Sequence, residues 1–371
     1  MIELFEEDSA RALELIQEVH GGDAPLAPEY PLIFGEGYRG TTIGVGEEGE
    51  MRAACALIVR DLAIPSKNGG TILRVGLIGS VSTGQAWRGQ GLGTRLVVEA
   101  EARLQQEGCT AVFLWANDPE FYLQRGYAPA GQEQDVVVPA VVAHRLPEPS
   151  GVRVMSRADV PAVHRLYLQH KARVMRTLEE TAILTRCPKM DALVRERDGE
   201  VVAYALRGRG RDLVEVVHEW GGACDDVLAL LRAHLERRYD NSTPGALILM
   251  SPPSEIELLD RLTAVGCECT TGILGLGKIL DREGAADAIQ ERLGTLGSAK
   301  LVLAEDKTGS MFHIIHMTGP MGECFLDDEG SLAMLFAPAS VCGSVYDLAN
   351  SVGLPDADLP LEPFFWGLDS I

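Results

Sequence analysis

Val81-Ser82-Thr83-Gly84-Gln85-Ala86-Trp87-Arg88-Gly89-Gln90-Gly91-Leu92-Gly93-Thr94 is the stretch on which the reading of this 371-residue chain turns. The apolar run over 71–83 predicts a strand. Residues 91–107 predict a helix, with Leu92, Leu96, Val97, Ala100 and Leu104 on one face. The connection is rich in glycine. Missing side chains let an anion approach the backbone, and the free N–H groups of a first helical turn can meet a phosphate there. Two familiar phosphate loops are excluded. A Walker loop ends in Gly-Lys-Ser/Thr, and here Thr94 follows Gly93 with no lysine. A dinucleotide fingerprint needs GxGxxG, and Gly89-Gln90-Gly91-Leu92-Gly93 has another spacing. The pattern that fits is Arg-x-x-Gly-x-Gly, from Arg88 to Gly93.

Two more features follow in order. The strand ends Leu77-Ile78-Gly79-Ser80-Val81-Ser82-Thr83, and downstream stands Asn117-Asp118-Pro119-Glu120-Phe121-Tyr122-Leu123-Gln124-Arg125-Gly126-Tyr127. Together the three resemble the GNAT superfamily of N-acetyltransferases: its pyrophosphate loop, the strand that pairs with the pantetheine arm, and its "N…FYxxxGF" block. That resemblance implies acetyl-CoA as co-substrate and no metal. Val81, Ser82 and Thr83 would hold the pantetheine, and Arg88, Gly89, Gln90, Gly91, Leu92, Gly93 and Thr94 the pyrophosphate. Asn117 would lie beside the cofactor, with Tyr122 facing its sulfur. One departure is Gln85, where many members have proline.

The chemistry of such a site sets three demands. An amine with a pKa near 10 is mostly protonated at neutral pH and must lose a proton before it attacks a thioester. The attack builds an oxyanion, which the backbone N–H near Thr83 is placed to stabilise. The departing thiolate needs an acid, the role the resemblance gives to Tyr122. The plainer alternative for Tyr122 is a packed aromatic on a short helix.

Composition narrows the partners. Lys+Arg 33 against Asp+Glu 54 gives a net charge of −21. Residues 1–50 hold 12 acids and 2 bases, and residues 301–371 hold 11 acids and 1 base, so both ends are acidic and the middle is nearly neutral. Non-specific nucleic-acid binding is excluded, because it requires clustered Lys and Arg. An acidic field admits a cationic small molecule or peptide, and it equally serves solubility. No run of about 18 apolar residues predicts a membrane helix. The acidic start Met1-Ile2-Glu3-Leu4-Phe5-Glu6-Glu7-Asp8 lacks a basic n-region, so a cytoplasmic protein is expected. Eight scattered cysteines without a CxxC pair read as reduced thiols. Cys267 with Cys269, and His313 with His316, are too poor in neighbouring ligands for a metal site.

Signals over 1–148 alternate helix and strand, and His144-Arg145-Leu146-Pro147-Glu148-Pro149-Ser150-Gly151 reads as a linker. A second unit, 149–278, repeats the order: a helix over 157–172, a hairpin turning at Asp198-Gly199, a strand over 213–219 and a helix over 225–239. In it Val217-His218-Glu219-Trp220-Gly221-Gly222-Ala223 leads straight into the helix without a phosphate loop. The third unit, 279–371, predicts a helix over 284–296, strands over 300–305, 311–317, 323–326 and 332–337, and a helix over 341–351. The expected class is α/β, with two tandem mixed-sheet units and a small third one.

That arrangement resembles the bacterial "enhanced intracellular survival" family of N-acetyltransferases over essentially the whole length. The resemblance implies a catalytic GNAT unit, a degenerate one serving as scaffold, and a third domain similar to sterol carrier proteins. It also implies an aminoglycoside- or polyamine-like amine acceptor, a homo-oligomer of hexameric type, and a free α-carboxylate that serves as base. Here that carboxylate belongs to Ile371. The preceding Phe364, Phe365, Trp366 and Leu368 predict a docked tail, and Gly367 a tight bend. A tail that merely staples the third unit to the first is the other reading. Lysine- or N-terminus-directed acetylation, transfer of a longer acyl group, and an inactive acyl-CoA sensor are the competing functions.

Overall fold

The computed structural model describes residues 3–6, 8–20, 25–35, 39–65, 70–237, 245–305, 308–338, 343–354 and 359–371. The eighth cysteine, Cys342, lies outside the described residues.

Along the first unit run β1 (Glu3–Glu6), α1 (Ser9–His20), α2 (Pro31–Phe34), β2 (Thr41–Glu47), β3 (Glu50–Ile64), β4 (Thr71–Thr83), α3 (Leu92–Gln106), β5 (Ala111–Leu114), α4 (Pro119–Leu123) and β6 (Ala128–Pro139). The second contributes β7 (Val152–Val154), α5 (Val160–Tyr167), β8 (Arg173–Val174), α6 (Leu178–Leu184), β9 (Asp191–Arg197), β10 (Glu200–Arg209), β11 (Asp212–Gly222), α7 (Cys224–Glu236), β12 (Ala246–Ser251), α8 (Ile256–Ala264) and β13 (Glu268–Ile279). The third holds α9 (Arg282–Leu293), β14 (Ser298–Glu305), β15 (Met311–Gly319), β16 (Gly322–Leu326), α10 (Asp328–Phe336) and α11 (Gly343–Ser351). The class is mixed α/β.

The first two units share one sheet. Its order is β1-β2-β3-β4-β5-β13-β6-β12-β11-β10-β9-β7, with β8 on the edge of β3. Strand β13 enters between β5 and β6, pairing Leu276 with Leu114 on one side and Thr270 with Asp135 on the other. The 148/149 boundary therefore falls within a continuous sheet. One face of β3 and β4 packs Cys55, Leu57 and Ile78 against Leu96, Ala100 and Leu104 of α3. The opposite face, with Ala56, Ile58 and Leu77, is covered by the second unit and the C-terminal tail. Strands β14–β16 form a separate antiparallel sheet.

Two expected elements differ. Residues 332–336 lie in helix α10, with Ala337 its C-cap, and not in a strand. Asp327 caps it by accepting from Gly330 N at 2.8 Å, and Asp328 and Glu329 stand in its first turn. Leu332, Met334, Leu335 and Phe336 are all buried, so the helix is apolar all round and gives neither period in the sequence. The helix expected over 157–172 stops at Tyr167. Beyond it His170 turns inward, its Nε2 2.6 Å from the Trp220 carbonyl.

Candidate active site

Strands β4 and β5 pair in parallel only over Val75–Leu77 and Ala111–Phe113. On its other edge β5 pairs with β13 along its whole length, Ala111–Leu114, while β4 runs on past Leu77 toward Thr83 with no strand beside it on the β5 side among the described residues. Between Gly79 and Ser82 of β4 sits a bulge: Ala56 faces Gly79, Ala54 faces Ser82, and Ser80 and Val81 both oppose Cys55. Ser80 takes φ 54, a left-handed conformation unusual for a residue with a side chain. A bulge next to a splayed strand re-aims peptide groups out of the ladder, which frees them for a ligand.

Thr83 leads through Gly84 and a single 3₁₀ turn, Gln85–Trp87, into the loop. Gly89 and Gly91 have φ 76 and 78, and a side chain at either would point into open space. Glycine is therefore required at both by backbone conformation and not by crowding. Gly91 is the N-cap of the 15-residue α3, with no side-chain cap on the first turn, so the N–H groups of Leu92, Gly93 and Thr94 are open to an anion. Arg88 folds back to donate from Nε to the Thr83 carbonyl at 3.3 Å. The loop is an empty-sided cradle with a positive rim, and it suits a pyrophosphate.

Helix α4 packs on that first turn. The Phe121 ring comes within 3.6 Å of where a Gly93 side chain would start. Tyr122 and Val81 join the apolar cluster around Cys55, and Tyr122 meets Phe121 and Tyr127 edge-on at 4.9 and 5.5 Å. Burial, with the neighbouring Cys55, pushes the Tyr122 phenol up to about 12, so it keeps its proton at neutral pH. Its hydroxyl has no hydrogen-bond partner among the described residues. Asn117 lies exposed between β5 and α4.

The chain terminus enters the same region from the opposite face of β4. Phe364, Phe365, Trp366 and Leu368 are buried. Trp366 stacks 4.0 Å from His170 and donates from Nε1 to Ala172 O at 3.0 Å. Phe365 packs against Phe113 at 5.3 Å and Trp115 at 5.5 Å. Gly367 stands in the expected tight bend, a turn over 367–369 in which Asp369 N donates to Trp366 O at 2.6 Å, and it also serves close approach: a side chain there would meet His218 Cβ at 2.5 Å, and its N–H donates to His218 O. The tail ends with the Ile371 carboxyl carbon 2.6 Å from where a Gly79 side chain would begin. Among the described residues that carboxylate has no ion-pair or hydrogen-bond partner.

The structure thus brings together Val81–Thr83, the 88–94 loop, Tyr122 and Ile371 around the splayed end of β4. Three contributors escaped sequence reasoning. Gly79 makes room for the terminus, Ser80 makes the bulge, and Arg125 donates to Thr94 Oγ1 and stacks over Phe121 at 3.7 Å. Arg125 alone carried a signal, as a cation beside the aromatic pair. Among the described residues no group of three or more His, Cys, Asp or Glu is arranged to hold a metal, and no helix is long and apolar enough to cross a membrane.

Comparison with known families agrees with this geometry. Residues 3–130 match the acetyltransferase (GNAT) domain. The chain is accordingly an acetyltransferase, and the GNAT domain's chemistry is acyl transfer from acyl-CoA to an acceptor. Three solved structures share the fold, each covering 100% of both chains. A conserved protein of Enterococcus faecalis, named "Probable N-Acyltransferase", gives a TM-score of 0.73 at 12% identity. GCN5-related N-acetyltransferases from Anabaena variabilis and Kribbella flavida give 0.69 at 13% and 0.65 at 15%. The likeness of fold therefore extends over the whole chain, beyond the matched domain. No curated protein matches the sequence.

Proposed function

We propose that this chain acetylates a primary amine of a cationic, aminoglycoside- or polyamine-like acceptor, with the Ile371 carboxylate as base and Tyr122 as acid. The observation that supports this reading is the terminal carboxylate lying against Gly79, one residue before the bulge of β4, with no ion-pair or hydrogen-bond partner among the described residues. An α-carboxylate, with an ordinary pKa of roughly 3.3–3.7, is ionised at pH 7 and able to accept a proton.

The 88–94 loop and Arg125 would hold the pyrophosphate of acetyl-CoA, Asn117 would lie beside the cofactor, and Val81, Ser82 and Thr83 would line the pantetheine. When bound, the cofactor supplies an activated acetyl carbonyl. The Ile371 carboxylate receives a proton from the acceptor's ammonium, and the free amine then attacks. The Thr83 N–H region stabilises the oxygen that gains charge. Tyr122 gives its phenolic proton to the sulfur as the C–S bond breaks, and recovers one afterwards. Two protons leave the nitrogen, one ends on the thiol, and one reaches solvent.

In the same reading the chain is of the "enhanced intracellular survival" type, cytoplasmic and homo-oligomeric, with a sterol-carrier-like third domain. Its second unit binds no CoA. Support comes from β11, which ends at Gly222 two residues before α7, leaving no loop for a phosphate. Trp220 of β11 donates across to Met250 O at 3.0 Å, and Trp366 packs on it at 5.4 Å. The test is release of free thiol from acetyl-CoA with aminoglycosides, polyamines and lysine peptides. Turnover with the first two classes supports the reading. Binding of acetyl-CoA without turnover on any amine overturns it in favour of a sensor.

A further inference from the structure

The last residues of the chain are gripped by charges that anchoring alone does not require. Four large apolar side chains of the tail, Phe364, Phe365, Trp366 and Leu368, are already buried and anchor it. Beside them lies a fully buried ionic cluster. Arg176 donates to both oxygens of Glu219, at 3.1 and 2.7 Å, and through Nε to Asp369 Oδ1 at 2.6 Å. Tyr167 closes the other oxygen of Asp369 at 2.9 Å. A second buried cation, Arg209, meets no carboxylate among the described residues. Its Nη1 instead lies 2.6 Å from Gly367 O, 3.0 Å from Ser370 O and 2.9 Å from Ser370 Oγ.

Buried ion clusters add little net stability compared with apolar packing of the same volume. A planar guanidinium fork does fix direction, which apolar contacts do not. Here Arg176, its fork fixed on Glu219, reaches Asp369 through Nε, and Arg209, its Nε donating to Glu29 O at 3.2 Å, reaches Ser370 through Nη1; Asp369 and Ser370 are the two residues immediately before the terminus. Ser370 O belongs to the peptide bond that carries Ile371. Holding that oxygen and the Asp369 carboxylate fixes the last turn from two sides, and so fixes where the free carboxylate points over Gly79.

We propose that Arg209 and the Arg176–Asp369 pair are positioning residues for the Ile371 carboxylate: the second unit of the chain aims the base of the first. The inference rests on the reading of that carboxylate as the base. It assigns the second unit a part in the reaction, through the end of β10 and the segment after β8.

The experiment uses the full chain, with acetyl-CoA and an amine that supports turnover. Four variants are compared with the wild type: Arg209→Lys, Arg209→Met, Asp369→Asn, and a chain with one Gly added after Ile371. Readouts are kcat, KM for acetyl-CoA, and recovery of rate by added formate, a small diffusible carboxylate. Arg209→Lys is expected to lose about 10- to 100-fold in kcat, the scale of a misplaced catalytic group, with KM for acetyl-CoA unchanged within about twofold. Formate should recover part of the loss in the Arg209 variants and have no effect on the wild type. Asp369→Asn keeps the shape and packing of the tail, so it carries the test should both Arg209 variants fail to fold. Wild-type kcat in folded Arg209→Lys and Asp369→Asn, or losses that formate does not touch, overturn the positioning role. The extended chain separates the two levels. If the added Gly abolishes turnover while the Arg209 and Asp369 variants stay active, only the positioning is wrong. If the extended chain keeps full activity, the carboxylate is not the base and the inference falls with it.

Discussion

Gly79 and Ile371 are 292 positions apart in sequence, and the absence of a side chain at the first leaves the space that the carboxyl group of the second fills. A Cβ at Gly79 would lie 2.6 Å from the terminal carboxyl carbon, 2.7 Å from its oxygen and 2.8 Å from Ile371 Cγ1. Contacts that short do not occur between real atoms, so strand and terminus must separate if the glycine is replaced. Gly79 has ordinary extended φ, so this glycine serves proximity and not backbone freedom.

Gly79→Ala is therefore expected to fold, since one methyl displaces a chain end and not a core residue. It should push the carboxylate away by several tenths of an ångström or more. Misplacement on that scale costs on the order of 10²-fold in rate when the displaced group is catalytic. Steady-state kinetics should show the fall in kcat, and calorimetric titration an unchanged affinity for acetyl-CoA. Undiminished turnover in Gly79→Ala would mean that the terminus is only a staple.

Much of this arrangement was legible in the sequence, and the illegible part has a common cause. The 88–94 loop was readable because its constraint is local: a left-handed N-cap at Gly91 demands glycine wherever the fold puts it. The docked tail was readable because three consecutive aromatics cannot stay in water. By contrast, nothing near Gly79 indicates that residue 371 returns to it, and nothing in residues 268–279 announces insertion between β5 and β6. Long-range pairing leaves no local period. The bulge at Ser80 was hidden for a related reason: serine carries no preference for φ 54, and the register across β3 imposes it.

Gly91→Val tests the phosphate cradle. A β-branched residue is strongly disfavoured at φ 78, so the loop must change its path even though the replaced position has open space around it. Acetyl-CoA binding should be lost while circular dichroism and the melting profile report an intact fold. Wild-type affinity in a folded Gly91→Val protein would show that the pyrophosphate does not sit here.

Tyr122→Phe removes one hydroxyl from a ring that packs well without it. The edge-on contacts with Phe121 and Tyr127 remain, so stability should change little. Turnover should fall by about 10²–10⁴-fold, the usual contribution of a positioned acid or base. Cofactor affinity should stay close to that of the wild type. Equal rates for the two proteins would leave protonation of the thiolate to water or to another group.

Acid should loosen the tail through two buried histidines. Burial lowers His170 to about 4, with nearby Arg176 and Arg173 acting in the same direction against the hydrogen bond to Trp220 O. His218, against which Gly367 packs, is lowered by burial to about 3. A free histidine titrates near 6.5, so below that pH the unfolded chain takes up protons that the native state refuses. The neutral rings thus contribute stability that is complete above about pH 6.5 and declines as the pH falls toward 4 for His170 and toward 3 for His218. Because Trp366 stacks on His170 at 4.0 Å, the tail should be the part that yields. Urea midpoints measured between pH 7 and 4 are expected to fall for the wild type. They should fall less steeply for His170→Gln, which keeps a donor for Trp220 O but takes up no proton. Parallel decline of the two proteins would show that the ring at 170 titrates alike in the folded and unfolded chain, and that acid acts elsewhere.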